Sequence, residues 1–181
     1  MAPLNTKNAV GIIILDGSRE CLRAILQVRP EKNFERVGRE SWAGACQVTA
    51  HGKLLEGGED FLTALWREIE EELGPQIVPT LQELHAAGKM VELVNEVTPD
   101  GRHIITYGVV LRTSTSVSAV IYGPHSGPNG SGFRMIKKEE VGKIIDLQTT
   151  YKKETGVTDE GVTAMFKNDA EAVRLAFQKL G

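Results

Sequence analysis

One stretch constrains the fold of this chain more than any other. Residues 59–74 read Glu59, seven residues, then Arg67-Glu68-Ile69-Glu70-Glu71-Glu72-Leu73-Gly74. Within it Leu62, Leu65, Trp66, Ile69 and Leu73 recur at steps of three and four, which predicts an amphipathic helix with one apolar stripe against a core. Asp60 suits the N-cap, acidic residues suit the positive end of the helix dipole, and Gly74-Pro75 stops the helix. Glu68, Glu71 and Glu72 are also related by steps of three and four, so they share a face. Like charges at that spacing cost a helix about 0.2–0.5 kcal/mol per pair. A cation on that face removes the cost. Carboxylate oxygens are what hard divalent ions prefer, and Mg2+ completes its shell with water and substrate phosphate. A solvated helix face is the ordinary reading of any one of these glutamates taken alone, and Glu70 is read that way.

The rest of the chain narrows the class. With 181 residues, 41% hydrophobic and 25% charged, it predicts a single globular domain over 1–181 with a real core. A net charge of -3 provides no general basic field to gather nucleic acid. Cys21 and Cys46 lie in apolar, strand-like runs and read as buried free thiols of a reducing compartment. No other Cys or His stands at zinc-ligand spacing to them. The first eight residues lack a signal-peptide pattern, and the apolar run 9–15 is too short to span a bilayer. The expectation is therefore a cytoplasmic protein with no membrane association.

Residues 9–15 and 22–28 read as strands joined by the Asp16-Gly17 turn, and 29–40 as a charged loop. Residues 42–50 read as a third strand leading to Gly52. Residues 89–97 and 102–111 flank Thr98-Pro99-Asp100-Gly101 as a hairpin. Further strands are expected at 118–122 and 133–136, a short helix at 139–145, and a mobile loop at 123–132. The tail 158–180 is helical by periodicity, with Asn168 and Glu171 as a capping pair that splits it in two. Strands and helices in mixed order predict an α+β or α/β sandwich.

The segment 52–74 resembles the Nudix box: Gly, five residues, Glu, seven residues, Arg-Glu, an aliphatic residue, any residue, Glu-Glu, any residue, Gly, and an aliphatic residue. Glu59, Arg67, Glu68, Ile69, Glu71, Glu72 and Gly74 fall on its places. Lys53 stands where the pattern has its first Gly, and Pro75 where it has its last aliphatic residue. The resemblance implies the Nudix fold, an α/β/α sandwich with a mixed sheet and a loop-helix-loop motif. It implies a Mg2+- or Mn2+-dependent hydrolase that cuts a diphosphate linkage in a nucleoside diphosphate joined to another group. It makes Glu68, Glu71 and Glu72 the metal ligands, with the Gly52 carbonyl helping. Glu59, Arg67, Glu68 and Glu71 become the catalytic set, in which Arg67 pairs with a box carboxylate such as Glu59 and orients it. A general base downstream is also open to His125, Glu139 or Glu140.

Arg29 and Arg39 are candidates to reach a substrate phosphate. The alternative is surface charge paired with Glu31, Glu35 and Glu40. Trp42 and Tyr107 are candidates to stack on a base, though packing is the commoner use of such residues. The partner expected is a small nucleoside diphosphate derivative, not nucleic acid, and a homodimer is open. Two other activities compete. One is an isomerase of isopentenyl diphosphate, which needs a reactive cysteine, for which Cys46 is the nearby candidate. The other is a Nudix-fold sensor without turnover, which Lys53 favours and the intact acids oppose. Residues 90–92, Met-Val-Glu, carry neither the proline nor the tyrosine that sorts some Nudix subfamilies.

Overall fold

The computed structural model describes residues 8–32, 38–124 and 132–181. At its centre is β1, Ala9–Asp16, whose residues from Val10 onward are buried. Its side chains alternate between two cores, as a strand must. Val10, Ile12 and Ile14 join one apolar cluster, and Ile13 and Leu15 the other. On one side β1 runs parallel to β6, His103–Leu111, which pairs antiparallel with β5, Val91–Val97.

On its other side β1 changes partner half-way. Ala9 to Ile12 pair antiparallel with β4, Ala50–Lys53, while Ile14 to Asp16 pair with β2, Arg23–Val28. Thr49 sits at the fork. Its hydroxyl accepts from Ile14 N–H at 2.8 Å and donates to Ile25 O at 2.5 Å, so the fork leaves these backbone groups paired. Beyond the fork, β2 pairs with β3, Cys46–Gln47, and with β7, Phe133–Lys137.

Helices cover both faces. Helix α1, Phe61–Leu73, buries Leu65, Ile69 and Leu73 against the first cluster. The helices α2, Val78–Ala86, and α3, Ser114–Ile121, pack into the same cluster. After the short α4, Leu147–Thr150, the chain ends in α5, Lys167–Leu180, which covers the opposite face with Ala172, Val173, Ala176 and Phe177. The mixed sheet between helical layers is the sandwich expected from the sequence.

Several local expectations are corrected. Residues 42–50 are not one strand: Trp42 (φ 56°) and Gly44 (φ 78°) both take left-handed backbone, which breaks an extended run. Residues 118–121 belong to α3 and Tyr122 is its C-cap, because Val117 and Val120 meet the core at helical spacing and Thr113 caps the start. The short helix α2 has no counterpart in the expectations. The tail is helical only from Lys167, and residues 164–165 form β9 beside β8, Ile145–Asp146. Asn168 and Glu171 do not cap it. Phe166 is the N-cap residue, and Glu171 pairs with Arg174 at 2.5 Å. Cys21 is exposed at the β1–β2 turn, whereas Cys46 is buried as expected. The expected loop 123–132 falls mostly outside the described residues.

Candidate active site

The site forms where α1 crosses β4. Asp60 caps the helix by accepting from the N–H groups of Leu62 and Thr63, each at 3.0 Å, and Gly74 (φ 95°) ends it. The apolar stripe then fixes which way the acids turn. Gly52 pairs with Val10 in the sheet and so faces α1. An ideal Cβ on Gly52 would lie 1.8 Å from the Glu68 carboxyl carbon, so only a glycine lets that side chain rest on the strand. One residue back, His51 N–H donates to Glu72 Oε2 at 3.0 Å. Acids four apart on the helix thus register on adjacent residues of the strand.

Burial sets their electrostatics. It raises the pKa of Glu68, which is 9% exposed, against the opposing pull of Arg67. It pushes Glu72 up to about 8, with the charges of Glu68 and Glu71 adding to the rise, while His51 N–H and the Gln27 side chain oppose it. Glu71 stands at the solvent rim with 59% of its side chain exposed.

Arg67 ties the helix to the loop before it. Its Nε and Nη2 donate to the two oxygens of Glu59 at 3.0 and 3.1 Å, a forked pair. Nη2 also donates to Lys53 O at 2.9 Å, and Nη1 to Glu68 Oε1 at 2.6 Å. Glu59 in turn accepts from Leu55 N–H at 2.7 Å, and Arg67 holds its pKa below the usual carboxylate value. Lys53 fits without strain, since its φ is not positive and its side chain is exposed while its carbonyl serves Arg67.

Among the described residues, no three acidic, histidine or cysteine side chains converge as a ready cage. Arg67 Nη1 reaches both Glu68 and, at 3.5 Å, Glu71. A cation already sits between those carboxylates, in the form of a guanidinium. Mg2+ needs only one or two carboxylates besides water and phosphate. Glu68 in its glycine cradle and Glu72 beside His51 N–H, with Glu71 at the rim, could hold such an ion.

Most of the other candidates are engaged by neighbours of their own. Arg29 is tied to protein, its Nη2 to Glu40 at 2.7 Å and its Nε to Ser41 O at 2.8 Å. Arg39 donates to Thr155 O at 2.9 Å. Trp42 packs edge-on to Phe166 with ring centroids 5.6 Å apart. Tyr107 packs partly buried against the α1 core, and burial raises its pKa. Glu140 accepts from Lys137 N–H at 2.7 Å and Glu139 is exposed, both beyond the β7 end that pairs with Arg23. His125 lies outside the described residues. Cys46 is buried and its thiol is pushed up to about 11, the opposite of a reactive thiolate.

The NUDIX domain family model matches residues 5–153, most of the chain. The chain belongs to the Nudix family. Solved structures agree on the fold. The NUDIX domain of Shewanella oneidensis NrtR complexed with ADP ribose is 13% identical, with a TM-score of 0.54 over 97% of this chain and 89% of that one. A mutT/nudix family protein from Listeria innocua is 14% identical, with a TM-score of 0.51 over 74% of this chain and 80% of that one. DR0079 from Deinococcus radiodurans is 15% identical, with a TM-score of 0.50 over 82% of this chain and 76% of that one. Among curated proteins no match is found.

Reading the sequence alone misses two contributors to this Nudix site, the His51 backbone and Gln27. A backbone N–H carries no sequence signal. Gln27 does carry one, as a polar residue breaking the apolar run of β2.

Proposed function

We propose that this Nudix protein is a divalent-cation-dependent hydrolase acting as one unit over 1–181. It adds water across a diphosphate bond of a nucleoside diphosphate derivative, leaving a phosphate group on each product. The observation that carries the reading is the registration of Glu68 on Gly52 and of Glu72 on His51 N–H. It places two carboxylates side by side, partly desolvated, with a glycine shaped to admit one of them.

A bound Mg2+ or Mn2+ supplies charge neutralisation of the diphosphate and a more acidic water. The chain's own residues do the rest. Glu68 and Glu72 would hold the cation, with Glu71 beside them at the rim. Glu59 is committed to Arg67 and Leu55, so its role is to fix the loop. Arg67 orients Glu59 and Glu68 and lends positive charge near the phosphates. Glu71 has the freest carboxylate of the set and accepts the proton of the attacking water. The buried Cys46 argues against the isomerase, and a φ at Lys53 that is not positive weakens the one feature that favoured a silent sensor.

The test is a panel of nucleoside diphosphate derivatives with Mg2+ or Mn2+, read by product analysis. ADP ribose, the ligand of the NrtR domain, belongs in it. Cleavage by the wild-type protein and its loss in Glu72→Gln support the reading. Equal product from both overturns it.

A further inference from the structure

Along β2 the side chains alternate between the two cores. Ala24 and Leu26 join the α5 side, and Ile25 joins the α1 side. Gln27 therefore faces α1, beside Phe133 of β7 and Gln47 of β3, its two partners in the sheet. It is only 3% exposed, in a place where the same strand puts isoleucine two residues earlier. Its side chain comes near enough to Glu72 to pull that carboxyl's pKa down as a weak donor, without reaching hydrogen-bond geometry. Yet its amide nitrogen, Nε2, is buried and makes no hydrogen bond among the described residues. An orphaned buried donor works against folding. Packing alone asks for an apolar residue of the same size here, so the amide needs another explanation.

The neighbour that can use the donor is Glu72. His51 N–H holds Oε2 alone, and a carboxylate fixed at one oxygen still swings about that contact. A second donor at the other oxygen sets its plane. Each carboxylate oxygen offers two lone pairs, so a donor and a cation can share one. We infer that Gln27 is a positioning residue, whose amide turns onto the Glu72 carboxylate and holds it in place for a divalent cation. The inference rests on reading Glu72 as a cation ligand. It explains why a polar group is kept in a wall that stability would make apolar: the donor is unmatched until Glu72 takes up its working position.

The experiment uses the full chain, Mn2+ as the probe and no nucleotide. Gln27→Met keeps the side chain's length and removes the donor. Mn2+ affinity is read by electron paramagnetic resonance, and the melting temperature of the cation-free protein in EDTA is read alongside. Gln47→Met, a polar-to-apolar change at the paired position, is the control. The expected result is a loss of about 10–100-fold in Mn2+ affinity for Gln27→Met. Its melting temperature in EDTA is not lowered, and Gln47→Met binds Mn2+ as the wild type does. Unchanged affinity in Gln27→Met overturns the inference, as does an equal loss in both variants. A wild-type protein that binds no Mn2+ sinks the cation reading itself, a different outcome from a wild type that binds and a Gln27 variant that binds equally.

Discussion

The carboxyl carbon of Glu68 occupies the space in which any side chain on Gly52 would begin, 1.8 Å from the ideal Cβ position. A methyl group there must push the carboxylate off the strand. Gly52→Ala is therefore expected to lower cation-dependent cleavage by about 100-fold, the scale of a 1 Å misplacement. Steady-state rates with Mn2+ check this, and a rate near that of the wild type counts against the cradle.

Arg67 makes its contacts as a fork, and an ammonium cannot reproduce them. Arg67→Lys should keep the charge yet release Glu59, Leu55 and the loop between them. A fall of about 10–100-fold in kcat/KM is expected, on the scale seen when an orienting partner of a metal ligand is lost. Full activity in the lysine variant would mean that charge alone suffices.

The pH dependence of the cation-free protein has a definite sign. Burial pushes Glu72 up to about 8 and Asp169 up to about 7, both above the ordinary carboxylate value. Asp169 takes the Val48 N–H and faces Arg29, which offsets its burial in part. A carboxyl group whose folded pKa is raised is neutral by preference in the fold. Its contribution is fully present below about pH 4 and is lost as pH rises through 7 to 8. In EDTA the melting temperature should fall from pH 5 to pH 8. Glu72→Gln and Asp169→Asn should each flatten that fall, and Mn2+ should restore stability most at the alkaline end. A flat profile in EDTA refutes the burial argument.

The two thiols should separate cleanly. Cys21 is exposed and Cys46 is buried, with its thiol pushed up to about 11. A disulfide reagent at pH 8 should titrate one thiol in the native protein and two after denaturation. Rapid labelling of Cys46 in the native state would reopen the isomerase.

The helix that carries the acids was legible because its signals are local. Asp60, the stripe of Leu65, Ile69 and Leu73, and Gly74 act within a few turns of one another, and the structure uses each as read. The pairing of Arg67 with a box carboxylate was implied by the Nudix resemblance, and the structure makes that carboxylate Glu59. Local signals failed where tertiary packing overrides propensity. Val117 and Val120 favour a strand on their own and form a helix because they meet a core. Trp42 looks like strand and instead turns left-handed to pack on Phe166, more than a hundred residues away.

By itself the sequence determined the acidic helix, its caps and the sandwich of mixed sheet and helices, while the arginine clamp came from the resemblance of its box to the family pattern. The helix and its caps rest on periodicity and capping chemistry at short range. Only the tertiary structure decided that Glu68 rests on Gly52, that Glu72 takes the His51 N–H, and that Gln27 comes near Glu72 with its donor unmatched. The physical reason is the fork at Thr49, where β1 passes from β4 to β2. It sets two strands under one helix, and no pattern along the chain records which residues of separate strands come to face the same carboxylates.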